Sequence, residues 1–529
     1  MHTTAAQDGR APRPGAGVRF GRLAAVLALL MLPIFVANLD CLTLKLDDWS
    51  FFNEYASMLR TDGVFGAVRK IVDNEYIQYR VRIQFVSFVI KLFAYLAFGY
   101  RYVPHFLLHF AFHLAVAAAL FRILARFDER LAIYSAFFFL VMPTGQNVLF
   151  WVNTLFQIAP VLFYLLYLHR LLNPLRRRFL DVWTLTAWFT LAQFAGEQTL
   201  ALLYATPCIL LLASLASRAS TTRLLRDRMR LGVPLAVGAI LLAVYLAAVA
   251  TNTAAFPGQT RPPGALDPAL FTAAVSNCAK TILYSLNPRT WYYARFSIPP
   301  SGRTLAAAAA GAAIFLAGLL PLRRAAAPST VGRARLAALV AVCAAAWIVL
   351  IWLPVAYGVM TRMRPMQSRY LYGFGVPLAV LAALPLASLP RRRVLLECAA
   401  AFLIFSYLAF LDCYALNELW RSQKEHDRKV WAAVDSQVRR GRTHLLLVNV
   451  KQWWCTAIPD FAQPWAIQAY LAAHYPQPIT FDLDTLREGR GEEETAVIEV
   501  KRPPRRPVSD PLITVYPSYG DYLRSAPGG

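Results

Sequence analysis

Apolar residues in this chain fall in long unbroken blocks, near 23–39, 103–121, 131–146, 148–168, 181–196, 198–216, 232–251, 304–321, 336–357, 371–389 and 395–414. A helix that rises about 1.5 Å per residue needs roughly 17–25 residues to cross the ~30 Å hydrocarbon layer. Most of the blocks reach that length alone; 131–146 and 181–196 need their flanks. The pattern predicts eleven spanning helices. Ile83–Gly99 is apolar too, but Lys91 sits in its middle. An ammonium at the bilayer centre costs about 2.5–3.5 kcal/mol on insertion scales, and a span here would invert every later connection. An interfacial or re-entrant helix on the outer face is expected instead. The first block follows Arg19 and Arg22, is long, and lacks a small-x-small cleavage site, so it reads as a retained helix.

Arginine sets the orientation. The amino-terminal tail and the connections 122–130, 169–180, 217–231, 322–335 and 390–394 together hold 23 Lys/Arg and 4 Asp/Glu. The short opposite connections, 143–147 and the turn at Glu197, hold no basic residue. By the positive-inside rule the arginine-rich side is cytoplasmic, which puts the amino terminus inside and the carboxyl terminus outside. The net charge of +24 is therefore largely a topological signal, and a nucleic-acid partner is not implied. Composition agrees, with 57% apolar and 16% charged residues against about half and a quarter in soluble domains. The seven cysteines are scattered singly, without metal-ligand or paired spacing. Abundant Ala and Arg hint at a GC-rich bacterial genome, and hence at a bacterial inner membrane.

The fold expected is an all-α polytopic membrane protein with a small carboxyl-terminal α/β domain. Residues 1–18 read as a disordered cytoplasmic tail. The transmembrane domain runs from 19 to 414, with outer loops at 40–102, 252–303 and 358–370. Residues 415–529 form an extracytoplasmic unit that carries 15 Lys/Arg against 14 Asp/Glu. Within it, helical patterns at 416–439 and 464–474 alternate with strand-like 445–450 and 495–500. No internal repeat is evident.

The sharpest chemical feature is Leu46-Asp47-Asp48-Trp49-Ser50-Phe51, just outside the first span. Neighbouring carboxylates at a protein-lined interface repel each other and lose hydration. A carboxylate is also what an acceptor hydroxyl needs to take its proton as it attacks carbon. One acid can be the base while the other orients it, contacts the acceptor or holds a divalent cation; no other cofactor is implied. The bland alternative is a helix cap, with the helix beginning at Trp49.

After the acid pair come a loop with Tyr79-Arg80-Val81-Arg82, the outer-face helix, and a span that opens Pro104-His105. A hairpin with Pro143 and Trp151-Val152-Asn153, a turn at Glu197 and a late Arg369-Tyr370-Leu371-Tyr372 follow. In this order the chain, over roughly 20–390, resembles the GT-C superfamily of membrane glycosyltransferases, in particular the protein O-mannosyltransferase branch. The resemblance implies catalysis by Asp47 with Asp48 as its partner. It also implies a polyprenyl-phosphate sugar as donor and an acceptor hydroxyl on a glycan, lipid or protein. In a bacterium the lipid would be undecaprenyl or decaprenyl. Two positions depart from the pattern: Val81 stands where a proline is expected, and Glu197 lacks a preceding lysine.

A departing lipid phosphate calls for guanidinium groups, which bind phosphate through two donors. Arg80, Arg82, Arg362, Arg364 and Arg369 are the outer-side candidates; snorkelling toward lipid head groups is the alternative. His105, Asn153, Glu197 and Tyr370 are candidates to line the cavity that receives the sugar, with interhelical hydrogen bonding as the competing role. His105, His109 and His113 recur at a helical spacing that suits metal, but no acid lies on their helix, so no metal site is assigned. A lipid-linked glycan transporter and a polysaccharide polymerase or ligase are the competing functions. The first predicts repeats and mid-span charges, and the second does not require the acid pair. Neither a Walker A motif nor a Gly-x-Gly-x-x-Gly fingerprint is present.

Overall fold

The computed structural model describes residues 16–39, 44, 47–73, 83–149, 151–217, 228–253, 300–326, 332–358, 371–450, 464–486, 493–501 and 511–525, with isolated positions between 272 and 286. The chain is helical from α1 (Ala16–Ala37) through α2 (Asp47–Val72), α3 (Phe85–Phe98), α4 (Tyr102–Leu124) and α5 (Glu129–Leu140). There follow α6 (Leu155–Leu172), α7 (Arg178–Ala195), α8 (Leu200–Ser217), α9 (Arg228–Thr253), α10 (Gly302–Ala325), α11 (Arg333–Gly358), α12 (Gly375–Ser388) and α13 (Val394–Tyr414). A π-helical turn, Ala415–Trp420, joins α13 to α14 (Arg421–Arg439).

Every block predicted to span is a helix. Eight helices among the described residues are long and apolar enough to cross a membrane. The other three are α5, which stops at Leu140 before Pro143, α7, which opens with Arg178 and Asp181, and α8, whose apolar stretch is short. Pro143 cannot donate a helical hydrogen bond, so the expected 131–146 and 148–168 helices are separated by short turns and α6 begins at Leu155.

The region expected to be a loop after the acid pair is instead α2, whose two halves meet at Gly63. At φ +66° that residue adopts the left-handed backbone glycine tolerates. Helix α3 occupies the apolar stretch Ile83–Gly99, beginning two residues later and ending one earlier than expected.

The carboxyl-terminal unit has a four-stranded sheet of β1 (His444–Val448), β2 (Thr480–Leu483), β3 (Ala496–Lys501) and β4 (Leu512–Tyr516) in the order β2-β1-β3-β4. Strand β1 is parallel to β2 and β3, and β4 is antiparallel to β3. Its buried core joins Val430, Val434 and Val438 of α14, Leu445 and Leu447 of β1, Ile498 of β3, and Ile467 and Leu471 of α15 (Pro464–His474).

Helix α15 lies on α2. Asn53 donates to the Ala469 carbonyl at 2.7 Å, and the Trp49 ring meets Tyr470 and His474 edge-on at 5.2 and 4.9 Å. This contact requires α2 and the carboxyl-terminal unit to share one side of the membrane, so an even number of crossings must separate them. Among the described residues, the ten helices α4–α13 satisfy that parity.

Away from that side, charged ends lock the helices together. Glu397 of α13 accepts from Arg130 Nε at 2.9 Å, Arg323 Nη2 at 2.8 Å and Tyr134 Oη at 2.5 Å. Arg130 also reaches the Leu386 and Leu389 carbonyls. Asp181 binds Arg230 and Arg170 at 2.6 and 2.9 Å. The arginines that mark topology thus also close the bundle at that end.

Candidate functional site

Helix α2 begins at Asp47, so both acids stand in its first turn, where the helix dipole favours negative charge. The Asp48 side chain is buried, at 1% exposure. Phe51 follows one turn later, and residues three and four apart share a helix face. Its ring covers the ammonium of Lys91, 4.6 Å from the centroid. Phe88 lies at 3.9 Å and Phe156 at 6.0 Å from the same nitrogen. Lys91 donates to Asn153 Oδ1 at 2.6 Å and to the Asn153 carbonyl at 3.3 Å. Ring faces carry negative charge and a carbonyl dipole adds more, so the ammonium of Lys91, a residue 3% exposed, is held by four residues from three segments. Sequence reasoning used Lys91 only to exclude a span. The available signal was a lysine flanked by phenylalanine at i−3, on a helix that packs beside the acid pair.

The turn at Glu197 anchors α3. Glu197 Oε1 accepts from the Ile83 amide at 3.2 Å, and Ser87 donates to the Ala195 carbonyl at 2.6 Å. Gly196 permits the approach, since a Cβ there would meet the Phe156 carbonyl at 2.6 Å and Pro160 at 2.9 Å. Asn153 and Glu197 therefore position α3 from two directions.

The histidine face of α4 is used within the bundle. His105 Nε2 pairs with the Gly99 carbonyl at 3.0 Å, His109 Nδ1 with the Val148 carbonyl at 3.2 Å, and His113 Nδ1 with Tyr372 Oη at 2.8 Å. No group of three or more His, Cys, Asp or Glu suited to a metal occurs among the described residues.

Above the acid turn, Tyr100 donates to Asn53 Oδ1 at 2.6 Å and its ring lies nearly parallel to that of Trp49 at 6.0 Å. Further along α2, burial raises the Glu54 carboxyl above its ordinary range, against the pull of Lys70. Burial, with Glu54 and Asp48 adding to it, also pushes the Tyr55 phenol well up.

The structure thus brings Asp48, Asn153 and Glu197 around α2 and α3, with His105 one layer away against Phe52. Arg80, Arg82, Arg362, Arg364, Arg369, Tyr370 and the Asp47 side chain lie outside the described residues.

No protein-family model and no curated protein matches the sequence. Among solved structures, the crystal structure of ArnT from Cupriavidus metallidurans bound to undecaprenyl phosphate is similar at 14% identity and a TM-score of 0.39, over 91% of this chain and 93% of that one.

Proposed function

We propose that this chain is an inverting glycosyltransferase that moves a sugar from a polyprenyl-phosphate carrier to a hydroxyl acceptor at the outer face of the membrane. The reading rests on residues rather than on the structural likeness. Its carrying observation is a buried carboxylate, Asp48, that opens a helix whose next turn covers a buried ammonium, Lys91. Asp48 or Asp47 takes the acceptor proton while the acceptor oxygen bonds to the anomeric carbon. The bond from that carbon to the phosphate oxygen breaks from the opposite side, and its electron pair leaves with the lipid phosphate. Fixed positive charge stabilises that departure in a site that excludes water. Lys91 supplies it here, joined in this proposal by the outer-side arginines 80, 82, 362, 364 and 369. No nucleotide site is needed, because the sugar arrives already activated.

The test is transfer by Asp47→Asn and Asp48→Asn variants, read as lipid-linked and glycan products by mass spectrometry against a deletion strain. Loss of a general base lowers the rate about 10²–10⁴-fold, so at least one variant should fall into that range while still folding. A transporter or a ligase would tolerate both substitutions, and wild-type product levels in both variants would overturn the assignment.

A further inference from the structure

Arg176, Arg177 and Arg178 follow one another at the start of α7, and all three are exposed. Adjacent guanidiniums repel, and cations at the start of a helix oppose its dipole. The acid of the first turn does not offset them. Asp181 is buried and engaged by Arg230 at 2.6 Å, Arg170 at 2.9 Å and the Leu175 amide at 2.8 Å. Arg176 and Arg177 have no ion pair among the described residues. An anion from outside the chain would complete the group.

The neighbours of α7 set the level of this group in the bundle. The helix packs beside α6 and α9, whose apolar stretches end at Leu172 and begin at Met229. Arg170 and Arg230, the partners of Asp181, close those two ends. Hydrocarbon therefore gives way to head groups at this level. The far end of α7 meets α3, where Ser87 donates to the Ala195 carbonyl, so the arginines lie a full helix length from the α2–α3 side. Around them the surface is apolar: Phe179 is 72% and Trp183 60% exposed, with Leu175 and Leu180 exposed beside them. The two rings meet edge to face at 5.9 Å. Aromatic rings favour the head-group level of a bilayer, and arginine stems lie along acyl chains while the guanidinium reaches phosphate. A soluble anion would engage the arginines and leave the rings unused. We propose that residues 175–183 bind an anionic phospholipid, with its head-group phosphate on Arg176 and Arg177 and its chains against Phe179 and Trp183. This inference stands apart from the glycosyl-transfer reading.

The test titrates the full-length protein in neutral detergent with phosphatidylglycerol, phosphatidylcholine or inorganic phosphate and reads occupancy by native mass spectrometry. Wild-type protein should retain phosphatidylglycerol at concentrations where phosphatidylcholine is lost. Two basic residues beside an anionic head group are together worth about thirtyfold in affinity. The Arg176→Gln/Arg177→Gln protein should bind phosphatidylglycerol more weakly by that factor and melt at the wild-type temperature, since both side chains are exposed. Trp183→Ala should weaken the same lipid while leaving all the charge in place. Arg392→Gln/Arg393→Gln removes equal charge before α13, where the exposed apolar neighbours are Leu395 and Leu396 rather than rings, and should lose far less. Equal losses in the two double variants would reduce the effect to surface charge and overturn the site, as would equal retention of the two lipids by wild type. Displacement of phosphatidylglycerol by an equal concentration of inorganic phosphate, or wild-type binding by Trp183→Ala, would overturn the lipid assignment.

Discussion

Replacing Lys91 with methionine keeps length and shape and deletes one buried charge. A charged hydrogen bond such as the 2.6 Å contact to Asn153 contributes about 1.5–3 kcal/mol. The two nearer ring faces, at 3.9 and 4.6 Å, add roughly 0.5–2 kcal/mol each. Withdrawing an ammonium from water costs several kcal/mol in the opposite sense, so the two sides cancel to within a few kcal/mol. The Lys91→Met protein should therefore fold, and its melting temperature in detergent should move by only a few degrees. Transfer should behave differently. One preorganised group facing charge that develops in the transition state is worth about 10²–10³ in rate. Single-turnover transfer with a polyprenyl-phosphate sugar, run beside thermal unfolding of the same preparation, separates the two effects. A variant that folds and transfers within threefold of wild type refutes the role given to Lys91.

Glu397→Ala leaves the Arg130 and Arg323 guanidiniums buried without their carboxylate. Thermal unfolding should register a loss of about 3–5 kcal/mol, with KM unchanged in the protein that remains folded. Glu54→Gln tests a pH effect. Burial holds the folded-state pKa above the ordinary value of 4.5, so the native state keeps its proton over a window where the unfolded chain has lost it. Wild-type stability then falls as pH rises through that window, and the advantage of the glutamine variant, followed by melting between pH 4 and 7, should grow from nothing at the acid end. Asn53→Ala removes the bonds to Ala469 and Tyr100; hydrogen exchange across 464–474 should quicken, and unchanged protection would show that Asn53 does not hold α15.

The spans were legible because they depend on a local quantity, the length of apolar blocks. So was the helical character of α3, which the apolar stretch Ile83–Gly99 marks. Helix α2 was not, because its residues are mixed in polarity and include Gly63 and Gly66, which weaken any helical pattern read from sequence. Strands β2 and β4 are only four and five residues long, and each lies at an edge of the sheet, too short for alternation to stand out. At the site, the meeting of Lys91 with Asn153, 62 residues apart, is tertiary. The bond of Glu197 to the Ile83 amide, 114 residues away, is likewise invisible to any local pattern.

The docking of α15 on α2 has a consequence for biogenesis. The helix that covers the turn of Asp47 and Asp48, Pro464–His474, is made about 400 residues after them. The described helices α4–α13 must be made and packed before the two surfaces can meet. A chain not yet synthesised through α15 therefore presents an uncovered acid turn.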